Sequence, residues 1–344
     1  FLLGCLGLQF RLHVHPVSLR NSHLQQGSAL IYGHSITPNG NPIILISKMT
    51  IKNYINVSDE QLLNGLAPVA QLMSQVNAST DKELIIDFSS TRFITPLFAL
   101  SLLVYLSKCG KKVQLENLSD YLTIIGMGDG GIKTDMMRSS EFLATMERYS
   151  SKTYIPIVNF PANTNIDEKE AVSTVVENII IRQLNIQPNV ANGFKYMIEE
   201  TLDNITEHSN ATRGWLFAQA YPQKGYLDLC IADNGITLLG SYKNQINNEI
   251  STDLEAIKAA NLRISSKNLP DAENRGYGIY TSKRMLVEGL KGQYVMISGG
   301  NFYVKTPEFN SFYSLPDNLR WDGTIISLRI PYNNSQFNYI KYIE

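Results

Sequence analysis

The stretch EETLDNITEHS, residues 199–209, constrains this chain most, because it closes a run that reads as one helix from about residue 190. Residues four apart on a helix stack on one face, so Glu200, Asn204 and His208 form a polar stripe. Phe194, Met197, Ile198, Leu202 and Ile205 recur at helical spacing and form an apolar stripe about 100° around the axis. Such a helix seats one face on a sheet and leaves the other to border a cavity.

A carboxylate and an amide one turn apart suit the chemistry of a nucleoside triphosphate. Mg2+ takes hard oxygen ligands and keeps several waters, so a neutral Asn oxygen serves as its single protein ligand while phosphates supply others. A Glu one turn away can polarise an attacking water or hydroxyl. The same stripe also fits a plain solvated helix face, so the case rests on three signals farther along the chain. YLDLCIADNGIT carries an alternating strand over residues 226–231 into a turn at Asp233, Asn234 and Gly235. ENRGYGIYTSKRMLVEG places Gly276 and Gly278 directly before an amphipathic helix. WDGTIISLRIP opens a closing strand at Gly323 and Thr324. Each signal alone is an ordinary turn or connection; their order and domain-sized spacing carry the reading.

In that order the motifs over residues 166–331 resemble the ATP-binding domain of the GHKL, or histidine-kinase-like ATPase, superfamily. The Glu-xxx-Asn-xxx-His form written by Glu200, Asn204 and His208 is similar to the anti-sigma-factor serine kinases. The resemblance implies ATP and Mg2+ as ligands, with Asn204 holding Mg2+ and Glu200 as the catalytic base. It implies that Asp233 accepts the adenine amino group, that Gly235 lets the base approach, and that Thr324 reaches the adenine through water. Arg275, Gly276, Tyr277 and Gly278 would wrap the phosphates at a helix start, where free N–H groups and the helix dipole favour anions. His208 and Thr237 complete the implied nucleotide set.

Two departures from the family pattern stand out. The family's Asp-x-Gly-x-Gly becomes Asp233-Asn234-Gly235-Ile236-Thr237, so the second glycine is missing and a stiffer lid hinge is expected. Residues 236–275 would form the lid, with a helix expected over 254–262. Lys267 in that segment can reach a terminal phosphate or stand as an exposed loop lysine.

Composition narrows the setting. A chain of 344 residues is long enough for two domains with proper cores. A net charge of -1 gives no electrostatic case for nucleic acid or for a membrane surface. Cys5, Cys109 and Cys230 lack metal-ligand spacing; with Cys109 and Cys230 read as buried, a reduced, cytoplasmic setting is expected. Residues 1–48 are unpatterned, and FLLGCLGLQFRLHVHP is too short to span a membrane and lacks a basic leader. His13 and His15 have no partners nearby to complete a metal set. The expectation is that Met49 is the native start; natively expressed protein beginning before Met49 on N-terminal sequencing would refute it.

From Met49 the pattern is regular: a strand over 51–57, Asp59-Glu60 and a helix through about Val76, the buried strand ELIIDF, then Thr95 as N-cap with Pro96 at the first helical position. That helix is expected to end near Lys108 at Gly110, followed by the strand KKVQLEN and a helix start in LSDYLTIIGM. The βαβαβα order implies a layered α/β domain over 49–127. IIDFSSTRFI followed by a loop and helix resembles a STAS domain, the module of anti-sigma-factor antagonists. In that family an Asp-Ser pair opens the helix and the serine accepts phosphate. Thr95-Pro96 stands there instead, so phosphorylation in the family's manner is not expected, and capping accounts for Thr95.

Residues 128–160 read as a connecting region, with a helix over 139–148 and a strand over 154–158. The glycines of GMGDGGI lack the Lys-Ser/Thr ending of a phosphate loop and read as a turn. IDEKEAVSTVVENIIIRQLN, residues 166–185, reads as the first helix of the 161–335 ATPase domain, with 336–344 as a tail. The expected architecture is therefore α/β: a STAS-like βαβα domain followed by a GHKL-type α/β sandwich with helices on one mixed sheet. The expected function is Mg-ATP binding with slow hydrolysis or serine/threonine phosphotransfer to a partner protein. The alternative is a non-catalytic, nucleotide-gated interaction module acting through the STAS-like domain. Whether two copies pair as a homodimer stays open.

Overall fold

The computed structural model describes residues 49–52, 60–162, 166–244, 249–262, 278–332 and 336–343, apart from the side chains of 166–169, 171, 207 and 208. The first elements are β1 (Met49–Lys52), α1 (Leu66–Ala78), β2 (Glu83–Asp87), α2 (Pro96–Lys108), β3 (Lys112–Glu116), α3 (Asp120–Ile124), β4 (Ile132–Lys133) and α4 (Ser139–Glu147). They continue with β5 (Tyr154–Pro161), α5 (Ile166–Leu184), α6 (Pro188–His208), β6 (Arg213–Tyr221) and β7 (Tyr226–Asp233). The remainder is α7 (Leu238–Lys243), α8 (Asp253–Asn261), α9 (Gly278–Arg284), β8 (Gln293–Gly299), β9 (Asn301–Lys305), β10 (Asn310–Ser314), β11 (Trp321–Pro331) and α10 (Ile340–Ile343). The chain is mixed α/β, as its pattern implies.

β1, β2 and β3 form a parallel three-stranded sheet in that order, with Ile51 opposite Ile86 and Ile86 opposite Leu115. Parallel neighbours need crossovers, and α1 and α2 supply them. α2 begins as its sequence dictates: the Thr95 hydroxyl accepts the Phe98 N–H at 3.4 Å, and Pro96 holds the first helical position. It stops where Gly110 takes φ +69°, a left-handed turn that costs glycine little. PLFALSLLVYL is apolar around its whole circumference, which marks a helix covered on every side. Pro96 to Tyr105 are all buried, between α1 and a second sheet.

That second sheet has eight strands in the order β10-β9-β8-β11-β7-β6-β5-β4. Every neighbouring pair is antiparallel except β4 and β5. One face packs against α5, α6 and the segment after α9, around Phe194, Met197, Leu229 and Met296. The other face carries Trp215, Phe217, Cys230, Ala232 and Ile325, which share one core with Leu97, Phe98 and Val104 of α2. Trp321 donates its Nε1–H to the Ser101 carbonyl of α2 at 2.8 Å. With both faces covered, β6 and β8 are buried along nearly their whole length, and so is β7, whose sequence reads as alternating. All described residues fall in one compact unit.

A buried ion pair links β7 and β11 within this sheet and reaches the N-terminal part through Glu60. Arg329 on β11 donates Nε and Nη2 to Asp228 on β7 at 2.7 and 2.8 Å, and Nη1 to the Glu60 carbonyl at 3.1 Å. Its guanidinium lies 4.1 Å from the Tyr226 ring centre.

Some expectations shift. The helix expected after Asp59-Glu60 opens as a tight 3-10 turn over Leu62–Gly65 and becomes regular α-helix only at Leu66. β5 runs on to Pro161, beyond residue 158, since β6 continues to pair with it. Cys109 is half-exposed rather than buried, because it sits at the cap of α2, past the covered turns. The first strand is described over Met49–Lys52 only, and residues 53–59 lie outside the described residues. No helix among the described residues is long and apolar enough to cross a membrane.

Candidate functional site

α6 starts with Pro188 at its first position, where the missing N–H is harmless, and buries its apolar stripe completely. Phe194, Met197 and Ile198 are fully enclosed, with Leu202 and Ile205 nearly so. The opposite stripe carries Glu200 and Asn204, both half-buried. The Asn204 amide donates Nδ2–H to the Glu200 carbonyl at 2.6 Å. A carbonyl only accepts, so this bond identifies the nitrogen and leaves Oδ1 as the remaining polar atom of the amide. The Glu200 carboxylate lies directly against the α-carbon of Gly278, the first residue of α9, and any side chain at 278 would strike it. The missing Cβ at 278 leaves the room that the Glu200 carboxylate occupies.

The second end of the site is built around Asp233, the last residue of β7, which is 2 % exposed. Its Oδ1 accepts the Gly235 N–H at 2.8 Å, and its Oδ2 accepts the Thr324 N–H at 3.2 Å. Gly323, at φ +84°, packs on the Asp233 backbone and side chain, a place open only to glycine. Burial pushes the Asp233 carboxyl up to about 7, outweighing the two N–H groups and the Lys108 charge, which all favour the ionised form. A carboxylate has about four acceptor positions and two are used here, so it can still take a donor from a ligand.

The two ends are joined by α6 itself. Ile236 donates its N–H to the Ser209 carbonyl at 2.6 Å, and Gly235 sits so close to that carbonyl that a side chain would collide with it. From Glu200 to Ser209 the helix rises about 14 Å, the scale of an extended nucleoside triphosphate. Asn234 faces the other way: its Oδ1 accepts N–H groups from Thr212 and Arg213, and its Nδ2 donates to Ser107 of α2 at 3.3 Å.

After the turn, Thr237 caps α7 by accepting the Gly240 N–H at 3.2 Å. The position that a second glycine would occupy is thus a helix start, with the Thr237 side chain engaged in capping. α8 follows with a capping box between Thr252 and Glu255. Its first turn is moored by Asp253, which pairs with Arg320 and accepts the Gly300 N–H at 3.1 Å. Its last turn is moored by Lys283 of α9, whose ammonium donates to the Asn261 carbonyl at 2.8 Å. Within the segment expected to act as a lid, α7 and α8 are therefore packed elements, sharing a small core of Tyr242, Ala256, Ala259 and Ala260.

The structure thus brings together Glu200, Asn204 and Gly278 at one end and Asp233, Gly235 and Thr324 at the other. Lys267, Arg275, Gly276 and Tyr277, and the side chain of His208, lie outside the described residues. Thr95 is 1 % exposed, so capping is what its hydroxyl does in this fold. The 126–131 glycine run is a closed turn on β5: Gly131 donates N–H to the Gly126 carbonyl at 2.9 Å, and the Gly130 carbonyl accepts from Asn159 and Trp215. Among the described residues no group of three His, Cys, Asp or Glu forms a metal cage. Ser298 borders the site through Gly323 and Thr324 without having been singled out by sequence; it belongs to no motif, and only the fold sets it there. Comparison with protein-family models, with characterised proteins and with solved structures finds no match for this chain.

Proposed function

We propose that this chain is a Mg-ATP-binding regulatory protein of the GHKL kind, with slow ATP hydrolysis or serine/threonine phosphotransfer to a partner protein. The observation that supports this reading is convergence: four motifs scattered over residues 200–324 gather along one helix, the Glu200 carboxylate against Gly278 with the Asn204 amide one turn on, and a buried carboxyl at the other end. The donor set suits the ligand. Asp233 supplies acceptors for an exocyclic amino group, and the Asn204 Oδ1 is the kind of hard oxygen that Mg2+ prefers. Bound Mg2+ would offset phosphate charge. Glu200, held beside the start of α9, would act as general base toward water or a partner's hydroxyl.

One observation favours the second reading, a nucleotide-gated interaction module. The turn that carries Asp233 is bonded through Asn234 to Ser107 of α2, so the N-terminal layer touches the base end of the site directly.

Calorimetric titration of ATP into the full chain, with and without Mg2+, tests the shared premise. Magnesium-dependent binding lost in Asn204→Ala is expected; absence of binding to folded protein sinks both readings. Labelled γ-phosphate then separates them. Glu200→Gln should keep binding and abolish turnover in an enzyme, whereas a wild type with no turnover leaves the interaction module.

A further inference from the structure

Ser298, near the end of β8, is 1 % exposed and stands where three segments meet. Its Oγ accepts the Leu238 N–H at 2.9 Å, lies 3.0 Å from the Gly323 carbonyl and 3.4 Å from the Thr324 Oγ1. A serine hydroxyl has one hydrogen and two lone pairs. The Gly323 carbonyl can only accept, so the Ser298 hydrogen goes there, and the contact with Thr324 forms only when Thr324 donates. The Thr324 hydrogen is thereby drawn toward Ser298, and its oxygen is left to act toward a ligand as an acceptor.

We infer that Ser298 is the positioning residue that sets base selectivity at this site, by holding Thr324 as an acceptor beside the Asp233 carboxylate. The inference rests on the proposed nucleotide site and deepens it. Two acceptors side by side, with Thr324 meeting the base directly rather than through water, match a base that presents an exocyclic amino group. A base with a carbonyl in that place, such as hypoxanthine, would set acceptor against acceptor and leave the protein groups unmatched. Removing the Ser298 hydroxyl frees Thr324 to rotate and donate to such a carbonyl.

The test is the ratio of ITP to ATP dissociation constants, measured by calorimetry on the full chain at pH 8, where Asp233 is largely ionised. Wild type should prefer ATP, Ser298→Ala should shrink the ratio about tenfold, and Ser298→Thr, which keeps the hydroxyl, should restore it. A merely structural role would weaken both nucleotides together and leave the ratio alone, which overturns the inference. If Ser298→Ala does not fold, Thr324→Val provides the same reading, since it removes the acceptor while leaving the Ser298 bonds to Leu238 and Gly323 intact; an unchanged ratio there is equally fatal. Wild type that binds neither nucleotide refutes the nucleotide reading itself, a result distinct from binding with an unaltered ratio.

Discussion

Raising the pH from 5 to 7 should destabilise this protein through Asp233. The folded chain holds the Asp233 proton up to about 7, whereas the unfolded chain releases it near the ordinary value of 3.8. Between those values the folded state binds more protons, so stability falls as pH rises. The contribution is complete below the unfolded value and is gone above the folded one. Across two pH units, at about 1.4 kcal/mol per unit, it is on the order of 3 kcal/mol. Asp87, whose carboxyl is held below its ordinary value by Asn117 and Ser89, acts with the opposite sign but finishes titrating at lower pH. Glu177, raised by burial, acts in the same direction as Asp233. Asp233→Asn isolates the effect. The amide has one acceptor for two facing N–H donors, so the variant should lose about 1–3 kcal/mol near neutral pH and also most of the pH slope. Urea denaturation midpoints of both proteins at pH 5, 6 and 7 read this directly. Equal slopes in wild type and variant would refute the assignment. In the ATP reading an amino group bonded to the carboxylate favours its ionised form, so binding near pH 6 should release a proton, visible as a dependence of the calorimetric heat on buffer ionisation enthalpy.

Three other perturbations have defined outcomes. Burial and the Lys305 charge bring the Lys283 ammonium down to about 8. The unfolded chain therefore binds more protons above that value, and stability should rise by about 2 kcal/mol from pH 8 to 9.5; Lys283→Met should flatten this rise in denaturant titrations. Arg329→Ala leaves Asp228, fully buried, without its bidentate partner and should cost about 3–5 kcal/mol, while joint replacement by Asp228→Leu and Arg329→Met should recover most of the loss in thermal unfolding. Gly235→Ala drives a methyl group into the Ser209 carbonyl and should cost about 1–3 kcal/mol; an unchanged melting temperature would show that the turn and α6 are not in the contact described.

Much of this architecture is legible in the residues themselves. The helix α6 follows from the phase of Phe194, Met197, Ile198, Leu202 and Ile205, because burial repeats at the helical period whatever the partner surface is. Thr95 and Pro96 mark the start of α2, and Gly110 its end, since caps are local chemistry. The Asp233-Asn234-Gly235 turn is readable for the same reason. What local pattern does not convey is which surfaces meet. α2 is apolar all round, which says that it is covered but not that β7 and β11 cover it. Nothing around Ser298 marks it as different from any strand serine; its three partners come from segments 60 and 25 residues away. The raised carboxyl of Asp233 is likewise a product of tertiary burial, because desolvation depends on what surrounds the group and not on its neighbours in the chain. Sequence by itself determined the periodicities, the caps and the turn chemistry, all set within a few residues. The tertiary structure alone decided that Glu200 lies on Gly278, that Asn234 binds Ser107 and that Ser298 orients Thr324, because those contacts depend on distances between segments that no local propensity encodes.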